Sequence, residues 1–167
     1  FRRPDSFSFT GKRAAVYRRK SGRILAKEQP PPLGVDIVIG VPDSGVSAGL
    51  GYAEQAGIPY CQEALFRIHG AERSFLEPVN ELRQEGLEFK LGVMPEYIVG
   101  KYVIVVDDSV VRGNVLVRVV YLLKFYGAKE VHVRVSSPPT IGPCYYGIDT
   151  WRIPDELIAS QTNPPGD

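Results

Sequence analysis

Apolar residues run unbroken from Tyr102 to Val106, and Asp107 and Asp108 follow at once. Val103, Ile104, Val105 and Val106 are β-branched, so this segment predicts a strand covered on both faces. Beyond the aspartates Gly113 opens a second pattern, with Val115, Val117, Val119, Val120, Leu122, Leu123 and Phe125 recurring as in a helix that stops near Gly127. The same order of signals occurs earlier. Val35 to Val41 reads as the first core strand, Pro42-Asp43-Ser44-Gly45 as its turn, and Ser47 to Gln55 as a helix ended by Gly57. Glu130 to Ser136 alternates as a further strand, with Val131, Val133 and Val135 on one face. Two strand–turn–helix units predict an α/β fold with a mostly parallel sheet flanked by helices, both turns lying on one sheet edge.

The remaining elements are weaker in pattern. Gly11 to Ala26 predicts a helix with Val16, Tyr17, Ile24 and Leu25 available for burial, and Pro30-Pro31-Pro32 a connector behind it. The other face of that helix carries Lys12, Arg13, Arg18, Arg19, Lys20 and Arg23. It reads first as a solvated face, with docking of an acidic partner or a second subunit as the alternatives. Ile58 to Leu65 predicts a short strand, Phe66 to Glu77 a mobile loop, Val79 to Gln84 a short helix and Phe89 to Val93 a short apolar segment. Tyr145, Tyr146, Ile148 and Trp151 are expected to cover one sheet edge, and the tail after Ala159 to fray.

Composition narrows the class without naming a chemistry. A chain of 167 residues with 44% hydrophobic content is enough for one domain with a real core, and 1–167 is read as a single domain. A net charge of +1 gives no general reason to expect nucleic-acid binding. No segment is apolar enough to span a membrane and no signal-peptide pattern opens the sequence. Cys61 and Cys144 lie far apart without metal spacing, which suits a reducing, cytoplasmic setting.

The candidate chemistry sits at the two turns. In open α/β sheets ligands bind beyond the carboxyl ends of the strands. A turn feeding a helix N-terminus presents several N–H donors to a phosphate. Asp107 and Asp108 disfavour an anion; they suit hydroxyls, a Mg²⁺ ion or a positive charge developing in a reaction. Phosphate on one side and a diol or metal on the other describes a sugar phosphate. Each motif also has a plainer reading: Asp-Asp ends some strands as a solvated pair, and Pro-Asp-Ser-Gly is an ordinary β-turn sequence. His132 reads as a strand histidine rather than a catalytic one, and His69 falls in the expected loop without a clear role.

The stretch Val105-Val106-Asp107-Asp108-Ser109-Val110-Val111-Arg112-Gly113 resembles the phosphoribosyl pyrophosphate (PRPP) loop of type I phosphoribosyltransferases. More closely, it resembles the transferase half of the amidophosphoribosyltransferase family. Further matches follow in register: Arg3 to Ser6, Val41 to Gly45, Gly51 to Tyr60, Glu81 to Leu91, Gly127 to Pro139 and Pro143 to Thr150. The resemblance implies a type I phosphoribosyltransferase-like fold with a flexible lid loop, and displacement of pyrophosphate from C1 of PRPP by a nitrogen nucleophile. It implies Asp107 and Asp108 at the ribose hydroxyls and Mg²⁺, with Ser44 near the metal. The backbone of Ser109, Val110, Val111, Arg112, Gly113 and Asn114 would hold the 5′-phosphate, helped by the Ser109 hydroxyl. Asp43, Ser44 and Gly45 would hold pyrophosphate. Arg73 and Arg67 are candidate lid cations for the leaving group, with a surface arginine as the plainer reading of either. A homo-oligomer is expected, as is the absence of nucleic-acid and membrane partners.

Three departures from the family pattern qualify this. The glutaminase half, which uses an N-terminal cysteine, has no counterpart in these 167 residues, which start at Phe1. No glutaminase activity is therefore expected of them, and ammonia would come from solution or from a separate glutaminase subunit. The family's Gly-Thr-Thr is here Gly113-Asn114-Val115, so two hydroxyl donors are replaced by one amide and one aliphatic chain. In the lid, Arg67-Ile68 replaces a Lys-Asn pair, Gly70 a tyrosine, and Arg73-Ser74-Phe75 an Arg-Thr-Phe triplet. Cys144 matches one iron–sulfur ligand of some members and by itself reads as a buried thiol. A transferase using ammonia or a small amine is the leading expectation. A non-catalytic PRPP or nucleotide binder, and a transferase with another acceptor, are the alternatives.

Overall fold

The computed structural model describes residues 3–8, 11–68, 91–111 and 113–140. In chain order the elements are α1 (Ala14–Glu28), β1 (Ile37–Gly40), α2 (Val46–Ala56), β2 (Leu65–Arg67), β3 (Leu91–Val93), β4 (Tyr102–Asp107), α3 (Asn114–Phe125) and β5 (Glu130–Val135). β1, β4 and β5 form a parallel sheet with β4 in the middle. The register pairs Gly40 with Val106 and Asp107 with Val135. β2 and β3 make a separate antiparallel pair.

The unbroken apolar run of β4 follows from its position. Val103 and Val105 face a core built with Ile37, Ile39, Leu116, Val119 and Leu123. Ile104 and Val106 face a second core with Val38, Leu25, Ala48, Tyr52 and Ala53. All of β4 from Val103 to Val106 is fully buried. Thus α1 and α2 cover one face of the sheet and α3 the other. Val131, Val133 and Val135 of β5 pack on the α3 side, as their alternation predicts.

The α1–α2 contact is made by missing side chains. A Cβ on Gly22 would lie 1.9 Å from the Ala48 carbonyl oxygen, and one on Gly51 would lie 1.9 Å from that of Arg19. Arg19 and Arg23 then reach across to Glu54 as ion pairs. Their hydrogen bonds, that from Arg19 the larger influence, hold the Glu54 carboxyl down at about 2.

Several expected boundaries shift. α1 buries Gly22, Leu25 and Ala26, while Val16, Tyr17 and Ile24 are exposed. The glycine contact decides which stripe faces inward, and it lies off the stripe that apolar count selects. α3 ends as predicted. Gly127 takes φ 95°, and the amides of Gly127 and Ala128 bond the carbonyls of Lys124 and Leu123 at 3.0 and 2.9 Å. Its apolar residues split, with Leu116, Val119, Leu122 and Leu123 buried and Val115, Val117 and Phe125 exposed. Ile58 to Leu65 is not one strand. Only Tyr60 bridges to Val38, next to Pro59, which has no N–H to extend the ladder. Phe66 and Arg67 belong to β2 rather than to the loop. The expected lid from 69 onward, the Val79–Gln84 helix, the aromatic edge cover and the tail lie outside the described residues.

Replacing Gly22 by alanine is expected to cost roughly 1–3 kcal/mol by forcing α1 and α2 apart, read as a lower urea midpoint. A depressed carboxyl stabilises the fold above its unfolded value and ceases to do so as pH falls through its folded value. The stability lost in Glu54→Gln should therefore be full above pH ~4.5 and vanish towards pH 2, as measured by melting both proteins across that range.

Candidate functional site

The parallel pairing of β1 with β4 places the turns after each strand side by side. The chain leaves β1 through α2 and returns at Tyr60 on the outer side of β1, whereas it leaves β4 through α3 and returns at β5 on the other side. Connections diverging from two adjacent parallel strands open a crevice between them, where ligands of such sheets sit.

The two turns touch. The Val41 amide bonds the Val106 carbonyl at 2.9 Å, and the Gly45 amide closes its turn on the Val41 carbonyl at 2.8 Å. A Cβ on Gly45 would come within 2.3 Å of the Val106 oxygen and 3.0 Å of the Asp107 Cα. Gly45 has φ −79°, a conformation any residue adopts, so what requires glycine here is the approach of the other turn and not an unusual backbone shape. Beneath it, Tyr60 packs where side chains on Gly40 and Gly49 would stand, 2.9 and 3.0 Å away. Burial pushes the Tyr60 phenol up to about 12. The Pro42–Asp43 peptide is cis.

At this junction Ser44 Oγ donates to Asp107 Oδ1 at 3.1 Å. The same oxygen accepts from the Asp108 amide at 2.8 Å. Asp107 is only 6% exposed. Its burial, with the Asp108 charge adding, pushes its carboxyl up to about 6 against the opposing pull of the Asp108 amide, Ser44 and Arg18. Asp108 is bound differently. Its Oδ1 accepts from Ser109 Oγ at 3.0 Å, and its Oδ2 pairs with Arg18 of α1 at 2.9 Å, each side chain 18% exposed. The acid pair therefore has the cation and donors that two adjacent carboxylates require.

The remaining expected site residues are placed as follows. Asp43 is exposed, with Arg67 Nε 3.5 Å from its Oδ2, so the turn meets the last residue of β2. Val110 packs onto the α3-side core and anchors the loop, and Val111 is half-buried. Gly113 takes φ 80° and forms the N-cap of α3 without a side-chain cap, so Asn114 begins the helix. Arg73 and Arg112 lie outside the described residues. The Ser109 hydroxyl, expected on the phosphate, here donates a hydrogen bond to Asp108 Oδ1. His132 pairs with Glu130 at 3.1 Å on β5, as a strand histidine.

Arg18 is the residue that sequence reasoning missed. By charge alone it belongs with the solvated basic face of α1. Read forward from it, Gly22, Leu25 and Ala26 follow at the i+4, i+7 and i+8 spacing of one helical stripe, and these are the buried residues of α1. That spacing is present in the chain, but Val16, Tyr17 and Ile24 offer a competing apolar stripe, so it does not by itself mark Arg18 as inward-facing.

No family model matches the chain. It is 45% identical over 160 residues to the amidophosphoribosyltransferase of Synechococcus elongatus, covering 96% of this chain and 31% of that protein. It is 47% identical over 161 residues to the chloroplastic amidophosphoribosyltransferase of Glycine max, covering 96% and 27%. Among solved structures it superimposes on glutamine PRPP amidotransferase from B. subtilis, complexed with ADP and GMP, with a TM-score of 0.80. Identity there is 45%, over 96% of this chain and 34% of that one. The chain thus spans about a third of the length of the curated relatives it matches.

An acid with a raised folded pKa favours folding below its unfolded value, and that advantage is lost as pH rises through the folded value. Asp107→Asn should therefore gain stability relative to the unaltered chain between pH ~4 and about 6 and hold the gain above it, by at most about 3 kcal/mol. Parallel melts in the absence of ligand and divalent cations check this.

Proposed function

We propose that this chain, which belongs to the amidophosphoribosyltransferase family over the third of those proteins that it spans, transfers the phosphoribosyl group of PRPP to ammonia or a small amine. The product would be phosphoribosylamine, the step with which purine synthesis begins. The observation that carries this reading is the Ser44–Asp107 contact, which joins the two turns into one site.

Each part of PRPP has a matching part of the site. The turn at Asp43, Ser44 and Gly45 holds pyrophosphate, with Arg67 beside Asp43 as a cation for the leaving group and Arg73 assigned the same task from sequence. The loop from Ser109 to Asn114, including Val110, Val111 and Arg112, holds the 5′-phosphate. In support, α3 opens without a side-chain cap, so its first amides are donors suited to an anion. Asp107 and Asp108 face the ribose hydroxyls. As the bond to pyrophosphate breaks, C1 gains oxocarbenium character, and fixed carboxylates nearby favour that charge more than they favour the neutral sugar. The nitrogen lone pair then forms the new bond at C1, and a proton leaves the resulting ammonium.

Mg²⁺ fits this donor set. Among the described residues no cluster of three or more His, Cys, Asp or Glu side chains could hold an ion alone. Mg²⁺ does not need such a cluster, since one or two carboxylates, waters and substrate phosphates suffice. Ser44, Asp107 and Asp108 would be its protein ligands, Ser44 and Asp107 being already in contact; when bound, the ion would neutralise charge on the departing pyrophosphate. Nitrogen would arrive as free ammonia or from a glutaminase segment or subunit.

Incubating the protein with PRPP, Mg²⁺ and ammonium should release pyrophosphate in proportion to ammonium. Asp108→Asn should lower that rate by roughly 100-fold or more. Tight PRPP binding without release would assign the chain to sensing instead, and release with another amine alone would change the acceptor.

A further inference from the structure

Helix α1 belongs to neither turn, yet it supplies a cation to the site. Arg18 reaches Asp108 Oδ2 at 2.9 Å, and both side chains are largely shielded from water. Its reach is set one turn further along the helix. There Gly22 lies against the Ala48 carbonyl so closely that a Cβ would stand 1.9 Å away. Ala48 is on α2, the helix that issues from the Ser44 turn. The packing that seats α1 on α2 therefore also brings Arg18 to the carboxylate beside Asp107.

We infer that Arg18 is a positioning residue for the acid pair: it holds Asp108 by one oxygen, leaving the carboxylate oriented by Ser109 at the other, and offsets one of two adjacent negative charges where an anionic sugar phosphate must enter. The inference rests on the PRPP reading above. The electrostatic argument has two consequences of opposite sign. Without Arg18, two uncompensated carboxylates repel the phosphates of the incoming sugar, so its affinity falls. The same two carboxylates, no longer shared with a guanidinium, attract a divalent cation more strongly, so bare-metal affinity rises. Simple damage to the site would weaken both.

The test is calorimetric titration of the folded chain with Mg²⁺-PRPP and, separately, with Mn²⁺ alone. The variants are Arg18→Gln, Arg18→Lys and, as a control for helix charge, Arg23→Gln, whose arginine pairs with Glu54. Circular dichroism confirms that each is folded. Arg18→Gln should weaken PRPP binding about tenfold, corresponding to roughly 1.4 kcal/mol, and tighten Mn²⁺ binding several-fold. Arg18→Lys should recover part of both, because a point charge remains while the planar fork is lost. Arg23→Gln should change neither. Unchanged PRPP binding in Arg18→Gln overturns the inference, as does loss of both affinities together or an equal effect of Arg23→Gln. Failure of the unaltered chain to bind PRPP removes the parent reading and this inference with it, an outcome distinct from the others because it appears before any substitution is made.

Discussion

The site depends on two backbones meeting without a side chain between them. Gly45 lies against the Val106 carbonyl and the Asp107 Cα, closer than any Cβ would permit. That approach is possible because β1 and β4 pair in register, Gly40 against Val106, and end together. At the other end of the pair the Asp36 carboxylate accepts from the Tyr102 amide at 2.8 Å, while the Asp36 amide bonds the Tyr102 carbonyl at 2.9 Å. With both ends tied, a slip of one residue would turn Val103 to Val106 onto the wrong cores and separate Ser44 from Asp107.

Glycine has the same use a layer further out. Gly22 and Gly51 let α1 lie directly on α2, backbone against side-chain-free backbone. Burial of apolar surface holds α1 through Leu25 and Ala26, but the glycines decide its rotation and height. The helix then presents Arg18 to the site and Arg19 and Arg23 to Glu54. One basic face is thus divided among three uses: a site cation, a helix-to-helix ion pair, and a solvated remainder that includes Lys20.

Electrostatics explains why the acid pair tolerates its position. Asp107 is deep in the junction, and burial makes its charged form costly. Asp108 stands one residue further out and is held by Ser109 and Arg18. Neighbouring residues of the same type thus have different environments, one buried among hydrogen-bond donors and one paired with a guanidinium. Such a pair suits the sugar diol and metal-bound pyrophosphate of the proposed reaction.

Much of this was legible along the chain. A both-faces-buried strand, its two aspartates, the Pro-Asp-Ser-Gly turn and the Gly127 stop are local matters, governed by β-branched runs and by the few residues that fit turns and helix ends. Their order is enough for an α/β sheet with two turns on one edge. Local pattern cannot say which face of a weakly apolar helix goes inward. On α1 the apolar residues Val16, Tyr17 and Ile24 point to solvent, and a stripe containing an arginine and a glycine is buried instead. That choice was made by the fit of one backbone against another. It could be seen only once α1 and α2 were placed together, because a glycine contact leaves no hydrophobic signal in the residues that form it. For the same reason the sequence by itself determined that carboxylates end β4, while the tertiary structure decided that Arg18 would meet one of them.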